Sequence, residues 1–244
     1  MTPPFLAVVI PAYNEEERIA ASIDALIDYL SERPYTWEIV VADDGSNDTT
    51  AAIVQGISDQ DDGVRLIRLP HRGKGSAVRS GMRATDADWR FLCDADLSMP
   101  PEQLGLFLTN DLAPEEAVVI GSREVTGARR FNEPSRRHVV GRAFTLAVWL
   151  LAFRGIEDTQ CGFKLFRGDV ARQIFALQRL DGFGFDVEVL FLARKMDATV
   201  REQAIDWYYR EGSTMTLLKG IGGFIDIARV RLNWALGRYS ELNS

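Results

Sequence analysis

Apolar runs and amphipathic stretches alternate along the first half of the chain. Phe5 to Ile10 is continuously apolar, as a strand buried on both faces would be. Asn14 then offers an N-cap, three glutamates follow, and Ile19, Ile23, Leu26, Ile27 and Leu30 recur at helical spacing. Pro34 breaks that helix. Glu38 to Ala42 predicts a second strand, followed by Asp43-Asp44-Gly45-Ser46 and a polar helix start at Asn47 to Thr50. Val64 to Leu69 predicts a third strand, Gly75 to Ala84 a helix, and Trp89 to Cys93 a fourth strand. Pro101 to Leu108 reads as helical and Ala117 to Ile120 as a fifth strand. This order implies an α/β fold with a mainly parallel sheet and helices on both faces. Two later stretches, Ala143 to Phe153 and Leu217 to Tyr239, are apolar at lengths that suit packing helices. The second could instead lie on a bilayer surface.

In such sheets ligands bind beyond the carboxyl ends of the strands. Three polar clusters stand there: Tyr13-Asn14-Glu15, Asp43-Asp44 and Asp94-Ala95-Asp96. In a strand-like stretch, residues i and i+2 point the same way. Asp94 and Asp96 are therefore expected to converge on one hard cation, Mg²⁺ or Mn²⁺. A cation held by two carboxylates keeps positions open for phosphate oxygens, which points to a nucleoside diphosphate. No Gly-x-Gly-x-x-Gly follows the first strand, and Gly73-Lys74-Gly75-Ser76 lacks the P-loop spacing.

Composition narrows the field. With 244 residues and 46% hydrophobic content, the chain suits one domain spanning 1–244. Its net charge of −7 argues against nucleic acid as a partner. Against that background, Arg123 to Arg142 holds six arginines and two glutamates, a cationic rim for an anionic substrate or lipid headgroups. The two cysteines, Cys93 and Cys161, lie in separate apolar contexts, which favours a reducing, cytoplasmic setting without disulfides. The two histidines, His71 and His138, are too few for a histidine-based zinc site. No signal-like N-terminus and no run of about 18 apolar residues is present. Any membrane contact is accordingly expected to be peripheral, on the cytoplasmic face.

Several blocks together resemble family 2 glycosyltransferases with the GT-A fold, a Rossmann-like α/β architecture with acceptor-side helices towards its C-terminus. They are Val9-Ile10-Pro11-Ala12-Tyr13-Asn14-Glu15, Asp43-Asp44-Gly45-Ser46, Gly73-Lys74-Gly75 and Asp94-Ala95-Asp96. The block Asp158-Thr159-Gln160-Cys161-Gly162-Phe163-Lys164-Leu165-Phe166 looks like the polyprenyl-phosphate branch. Phe185 to Leu190 and Glu211-Gly212-Ser213 agree with it. Dolichyl-phosphate β-glucosyltransferases are the group most resembled, and dolichyl-phosphate mannose synthases come second. The likeness runs from about Val8 to about Tyr239. Ser98 stands where the mannose synthases often carry glutamine.

The resemblance implies a division into a nucleotide-sugar half (1–122), an acceptor half (123–216) and a C-terminal helix near the membrane (217–244). It also implies roles. Pro11, Tyr13 and Glu15 would line the nucleotide pocket, with Tyr13 stacking on or flanking the base. Asp44 would accept hydrogen bonds from base or ribose, while Asp43 turns the loop. Lys74 would offset diphosphate charge. Asp94, Ala95 and Asp96 would meet the donor and its cation, Asp96 most directly. Arg123 would meet a phosphate of donor or acceptor, Arg136 and Arg137 the acceptor phosphate, and Arg210 would close over the diphosphate. Gln160 and Lys164 would shape the sugar or acceptor site. Asp158 would act as general base for a hydroxyl acceptor, position a phosphate acceptor, or form an ion pair with Lys164 or a nearby arginine.

The activity implied is inverting, metal-dependent hexose transfer to a polyprenyl or dolichyl phosphate, with UDP-glucose the first donor and GDP-mannose the second. Two alternatives stand beside it: transfer to a saccharide hydroxyl on the same fold, and nucleotide-sugar binding without catalysis.

Overall fold

In the computed structural model, which describes residues 2–108, 116–209 and 217–240, the first apolar run forms strand β1, Leu6–Ala12. All of β1 is buried, so both faces of the sheet need cover. Alternating elements follow: α1 (Ile19–Ser31), β2 (Trp37–Asp43), α2 (Thr50–Ser58), β3 (Val64–Arg68), α3 (Lys74–Arg83) and β4 (Trp89–Leu92). The stretch read as a helix from Pro101 is a short 3₁₀ helix, Pro101–Leu106. Then come β5 (Glu116–Ser122), β6 (Arg129–Phe131), α4 (Ser135–Leu151), β7 (Lys164–Arg167), α5 (Gly168–Leu177) and α6 (Phe185–Lys195). The described chain closes with β8 (Thr199–Ala204), β9 (Asp206–Tyr208) and α7 (Leu217–Ala235).

Seven strands make one sheet in the order β3-β2-β1-β4-β7-β5-β8. Only β7 runs antiparallel, to both its neighbours, and the other pairs are parallel. Strands β6 and β9 form a separate two-stranded ribbon. The period of two along β1 divides its side chains between two cores. Leu6, Val8 and Ile10 pack with Ile19, Ile23 and Leu26 of α1 on one face. Val9 packs with Val78 and Met82 of α3 and Phe175 of α5 on the other.

Strand order reverses between β1 and β4, and there the sheet splits. β1 pairs with β2 as far as Ala12 but with β4 only as far as Val9. The Val9 carbonyl accepts from Cys93 N at 2.9 Å, so alternation aims the backbone of residue 11 towards the departed β4. Pro11, which has no N–H, costs no ladder bond at that position. The gap opens the crevice.

Asn14 does not cap α1, contrary to expectation. The helix begins at Ile19 with Arg18 at the cap position and no side-chain cap. Asn14 instead adopts φ 54°, a left-handed conformation asparagine tolerates. Its Oδ1 accepts from Asn47 N at 2.9 Å, and its own N–H donates to Ser46 Oγ at 2.9 Å. The residue ties the loops after β1 and β2 together.

Candidate active site

The loops after β1, β2, β3 and β4 meet at one end of the sheet. Because β7 is antiparallel, its N-terminal end, with the 158–163 segment before it, lies at that same end. Because β5 runs with the others, Arg123 just beyond it does too.

The loops after β2 and β3 are in backbone contact. Gly45 sits at φ +72°, and a Cβ there would stand 2.8 Å from His71 N. Asp44 is buried and accepts from Arg72 N (3.0 Å, Oδ1) and Gly73 N (2.8 Å, Oδ2). His71 Nδ1 lies 2.8 Å from Asp44 Oδ2. Both oxygens of Asp44, expected to serve base or ribose, are engaged in shaping the 71–73 loop. His71, which sequence reasoning considered only for zinc, stacks on Tyr13 with centroids 4.1 Å apart and planes 21° apart. One face of Tyr13 is thus filled from within the protein. Pro11 is buried beneath this corner.

Gly73 adopts φ +125°, and a Cβ there would stand 2.6 Å from the Asp181 carbonyl oxygen. This conformation starts α3 at Lys74, where the positive end of the helix dipole disfavours a lysine. Lys74 Nζ is held by Asp94 Oδ1 at 2.6 Å. Burial works against the charge of Lys74, but Asp94 and then Asp186 outweigh it, and its pKa is raised.

Asp94 and Asp96 lie in a turn beyond β4 and not on the strand, so strand alternation is not what relates them. Leu97 N donates to the Asp94 carbonyl at 3.2 Å, and Leu97 takes the strained value φ 43°. Asp96 Oδ1 accepts from Ser98 N at 2.9 Å. Ala95 is buried between the two aspartates, its carbonyl accepting from Ser22 Oγ at 2.6 Å. Asp94 packs directly on Gly162, where a Cβ would stand 1.9 Å from Oδ2. Only glycine fits there.

Burial, then the charge of Asp94, raises the pKa of Asp96. Glu15 is raised as well, by burial and by Asp96 and Asp94, against the pull of Arg18 at 2.8 Å. This corner carries more negative charge than its one lysine offsets, which suits a cation. No group of three or more His, Cys, Asp or Glu among the described residues could hold a metal ion. A divalent cation here would therefore rest on Asp94 and Asp96 and complete its shell with ligand oxygens.

Across the crevice the balance differs. Asp158 accepts from Arg123 Nε at 2.7 Å, Arg123 Nη2 at 2.8 Å and the Arg123 backbone N at 3.0 Å. Burial pushes its pKa up, but the Arg123 charge and hydrogen bonds prevail and bring it to about 2. The guanidinium also lies 5.2 Å from the Trp207 ring centroid. Glu202 fixes the loop by accepting from the backbone N of Glu157 (2.8 Å) and Asp158 (3.0 Å). Arg123, expected to meet a phosphate, is already paired with Asp158, which engages two of its side-chain nitrogens.

Lys164 is enclosed completely, donating to Asp186 and to the Cys161 carbonyl. It supports the site from behind and does not line an acceptor surface, which corrects the role expected of it. Gln160 is half-buried beside it. Cys93 and Cys161 are buried and free, and burial with the Asp158 charge pushes the Cys161 thiol up to about 12. The cationic rim is largely neutralised. Arg130 pairs with Glu124 and Glu133, Arg142 with Glu157 at 3.0 Å, and Arg129 with Asp206 at 3.3 Å. Arg136 and Arg137 fall in the first turn of α4, with side chains outside those described, and Arg210 lies outside the described residues.

A family model described as glycosyl transferase family 2 matches residues 7–175. The dolichyl-phosphate beta-glucosyltransferase of Homo sapiens is 36% identical over 225 residues, 86% of this chain and 69% of that protein. The protein of the same name from Saccharomyces cerevisiae is 33% identical over 257 residues, 97% of this chain and 77% of that one. Among solved structures, mannosyl-3-phosphoglycerate synthase from Rubrobacter xylanophilus superposes with TM-score 0.70 at 19% identity, covering 96% of this chain and 75% of that one. Glucosyl-3-phosphoglycerate synthase from Mycobacterium tuberculosis, solved with Mn²⁺, UDP-glucose and phosphoglyceric acid, gives 0.62 at 20%, covering 97% and 80%. These likenesses place the architecture in the GT-A class.

Proposed function

The chain belongs to glycosyl transferase family 2, and we propose that it transfers glucose from UDP-glucose to dolichyl phosphate or another polyprenyl phosphate with inversion at the anomeric carbon. The donor lies in the 1–122 half and the acceptor against the 123–216 half. An acceptor phosphate oxygen attacks the anomeric carbon from the face opposite UDP. The bond to the leaving diphosphate breaks as the new one forms.

The observation that carries the acceptor choice is the state of Asp158. A general base works best with a pKa near the operating pH. A carboxylate at about 2, engaged three times by Arg123, is a poor base for a hydroxyl. A phosphate acceptor is already an anion and needs no base. Arg123, fixed by Asp158, holds that phosphate with its remaining N–H groups. Lys74, at the start of α3, offsets diphosphate charge. Asp94 and Asp96 hold a divalent cation, Mn²⁺ or Mg²⁺, which when bound neutralises the departing diphosphate. Tyr13, backed by His71, flanks the base, and Glu15 and Ala95 line the same pocket. Gln160 shapes the acceptor site, where Arg136 and Arg137 add charge, and Arg210 closes over the donor. A groove of about 320 Å³ on α4, lined by Arg142, Ala143, Thr145, Leu146 and Trp149, offers apolar surface for the polyprenyl chain.

The lipid acceptor is met at the cytoplasmic surface of the bilayer. No helix among the described residues is long and apolar enough to cross a membrane. The test is nucleotide release from UDP-glucose and GDP-mannose, each with Mn²⁺ and with or without a short polyprenyl phosphate. UDP release that depends on the lipid phosphate is the expected result. Release stimulated only by saccharides, or tight binding with no turnover on any acceptor, overturns the proposal.

A further inference from the structure

Helices α4 and α7 are apolar around most of their circumference, yet each buries only one side. Phe144 and Val148 of α4 and Ile227 of α7 pack with Val187 of α6 in one small core. The opposite sides are open. Leu146 is 55% exposed and Leu150 67% on α4, and Ile225 is 52% and Leu232 55% on α7. The helices adjoin through Phe144 and Phe224, whose ring centroids are 5.3 Å apart, so the open sides belong to one surface. A contiguous apolar patch of this kind marks an interaction face.

Charge says what it faces. Residues 135–154 and 217–240 carry eight basic side chains and one acidic one, a net +7, which leaves −14 on the other 200 residues. Arg154, Arg231 and Arg238 are exposed, and none has a carboxylate within ion-pair distance among the described residues. Apolar side chains framed by unpaired arginines fit an anionic lipid surface, with leucines entering the headgroup layer and arginines meeting phosphates. The acidic remainder is repelled by the same surface, which fixes one orientation.

That orientation also suits the site. Trp149 Nε1 donates to the Ile156 carbonyl at 2.7 Å, and Thr145 Oγ1 donates to that of Glu157 at 3.4 Å. The loop carrying Asp158 is therefore fastened to the helix whose far side is open. We propose that the α4–α7 face is a monotopic docking surface for anionic bilayers, seated so that the Arg123–Asp158 side of the crevice lies at headgroup level. This rests on the lipid-acceptor reading for its purpose, but not for its measurement.

The test is flotation of the full chain with phosphatidylcholine vesicles, with and without phosphatidylglycerol, and with no polyprenyl phosphate present. The wild-type chain floats with the anionic vesicles and detaches at high salt. A Leu150→Glu, Leu232→Glu variant binds about tenfold or more weakly while still using a short, water-soluble polyprenyl phosphate. An Arg154→Glu, Arg231→Glu variant loses the preference for anionic lipid. Wild-type protein that ignores anionic vesicles, or a leucine variant that binds unchanged, overturns the proposal. So does light scattering that shows a wild-type dimer which the leucine variant splits, because a second copy then covers the face. Failure of transfer to the soluble lipid phosphate by wild-type protein counts against the proposed function instead.

Discussion

Asp96, half-buried, and Asp158, buried, lie on the same crevice, and their surroundings push them in opposite directions. Asp96 faces Asp94 and Glu15, with Lys74 held by Asp94 and Arg18 by Glu15, and its pKa is raised. Asp158 has an arginine to itself, and its pKa falls to about 2. The Asp94–Asp96 side, proposed to take the donor, is short of positive charge. The acceptor side is neutral before anything arrives. On the proposed reading, one corner gains a cation with its substrate and the other presents a fixed arginine to an anion.

The contrast breaks most visibly in two asparagine variants. Asp96→Asn removes the proposed cation ligand and an unfavourable charge together. Its kcat/KM is expected to fall about 10³-fold, while its thermal midpoint without metal holds or rises. Asp158→Asn does the reverse to stability, leaving a buried guanidinium without its counterion. Urea unfolding is expected to show a loss of about 3 kcal/mol. If both variants lost stability alike, the two sides would not differ in the way described.

Acid sharpens the same point. The folded pKa of Asp158 lies below its ordinary 3.8, so its contribution to stability is complete above that value. It fades as the pH falls towards about 2 and amounts to about 2 kcal/mol. Denaturant midpoints followed from pH 5 downward are expected to drop less steeply in Asp158→Asn than in the wild type. The smallest effect belongs to His71. Its stacking on Tyr13 supports the donor pocket alone, so His71→Ala is expected to raise KM for the nucleotide sugar about fivefold and leave KM for the acceptor unchanged.

Much of this was legible in the chain itself. The continuous run at Phe5 to Ile10 and the helical spacing from Ile19 to Leu30 became β1 and α1 because burial dictates both patterns. The polar clusters at strand ends met in one crevice because a parallel sheet gathers its carboxyl ends. What escaped was non-local. Nothing around Lys164 to Arg167 announces that β7 inserts antiparallel between β4 and β5. Asn14 reads as a cap, since the partners that claim it lie more than thirty residues away. His71 joins Tyr13 and Asp44 only once three loops are assembled. The sequence around Asp158 does not name its partner, because Arg123 reaches it across 35 residues only in the folded chain. Gly162 is legible: a glycine between the apolar Cys161 and Phe163, just before a strand, signals close approach by another group, here Asp94.

The central claim is that the acceptor side serves an acceptor that is already an anion. The most direct measurement compares wild-type transfer from UDP-glucose, with Mn²⁺, to a short polyprenyl phosphate and to the matching polyprenol. The two differ only in the phosphate that Arg123 is held ready to meet. Glucosylation of the phosphate with none of the alcohol is the predicted result. Comparable transfer to the alcohol, abolished in Asp158→Asn, would show Asp158 acting as a base and contradict the account.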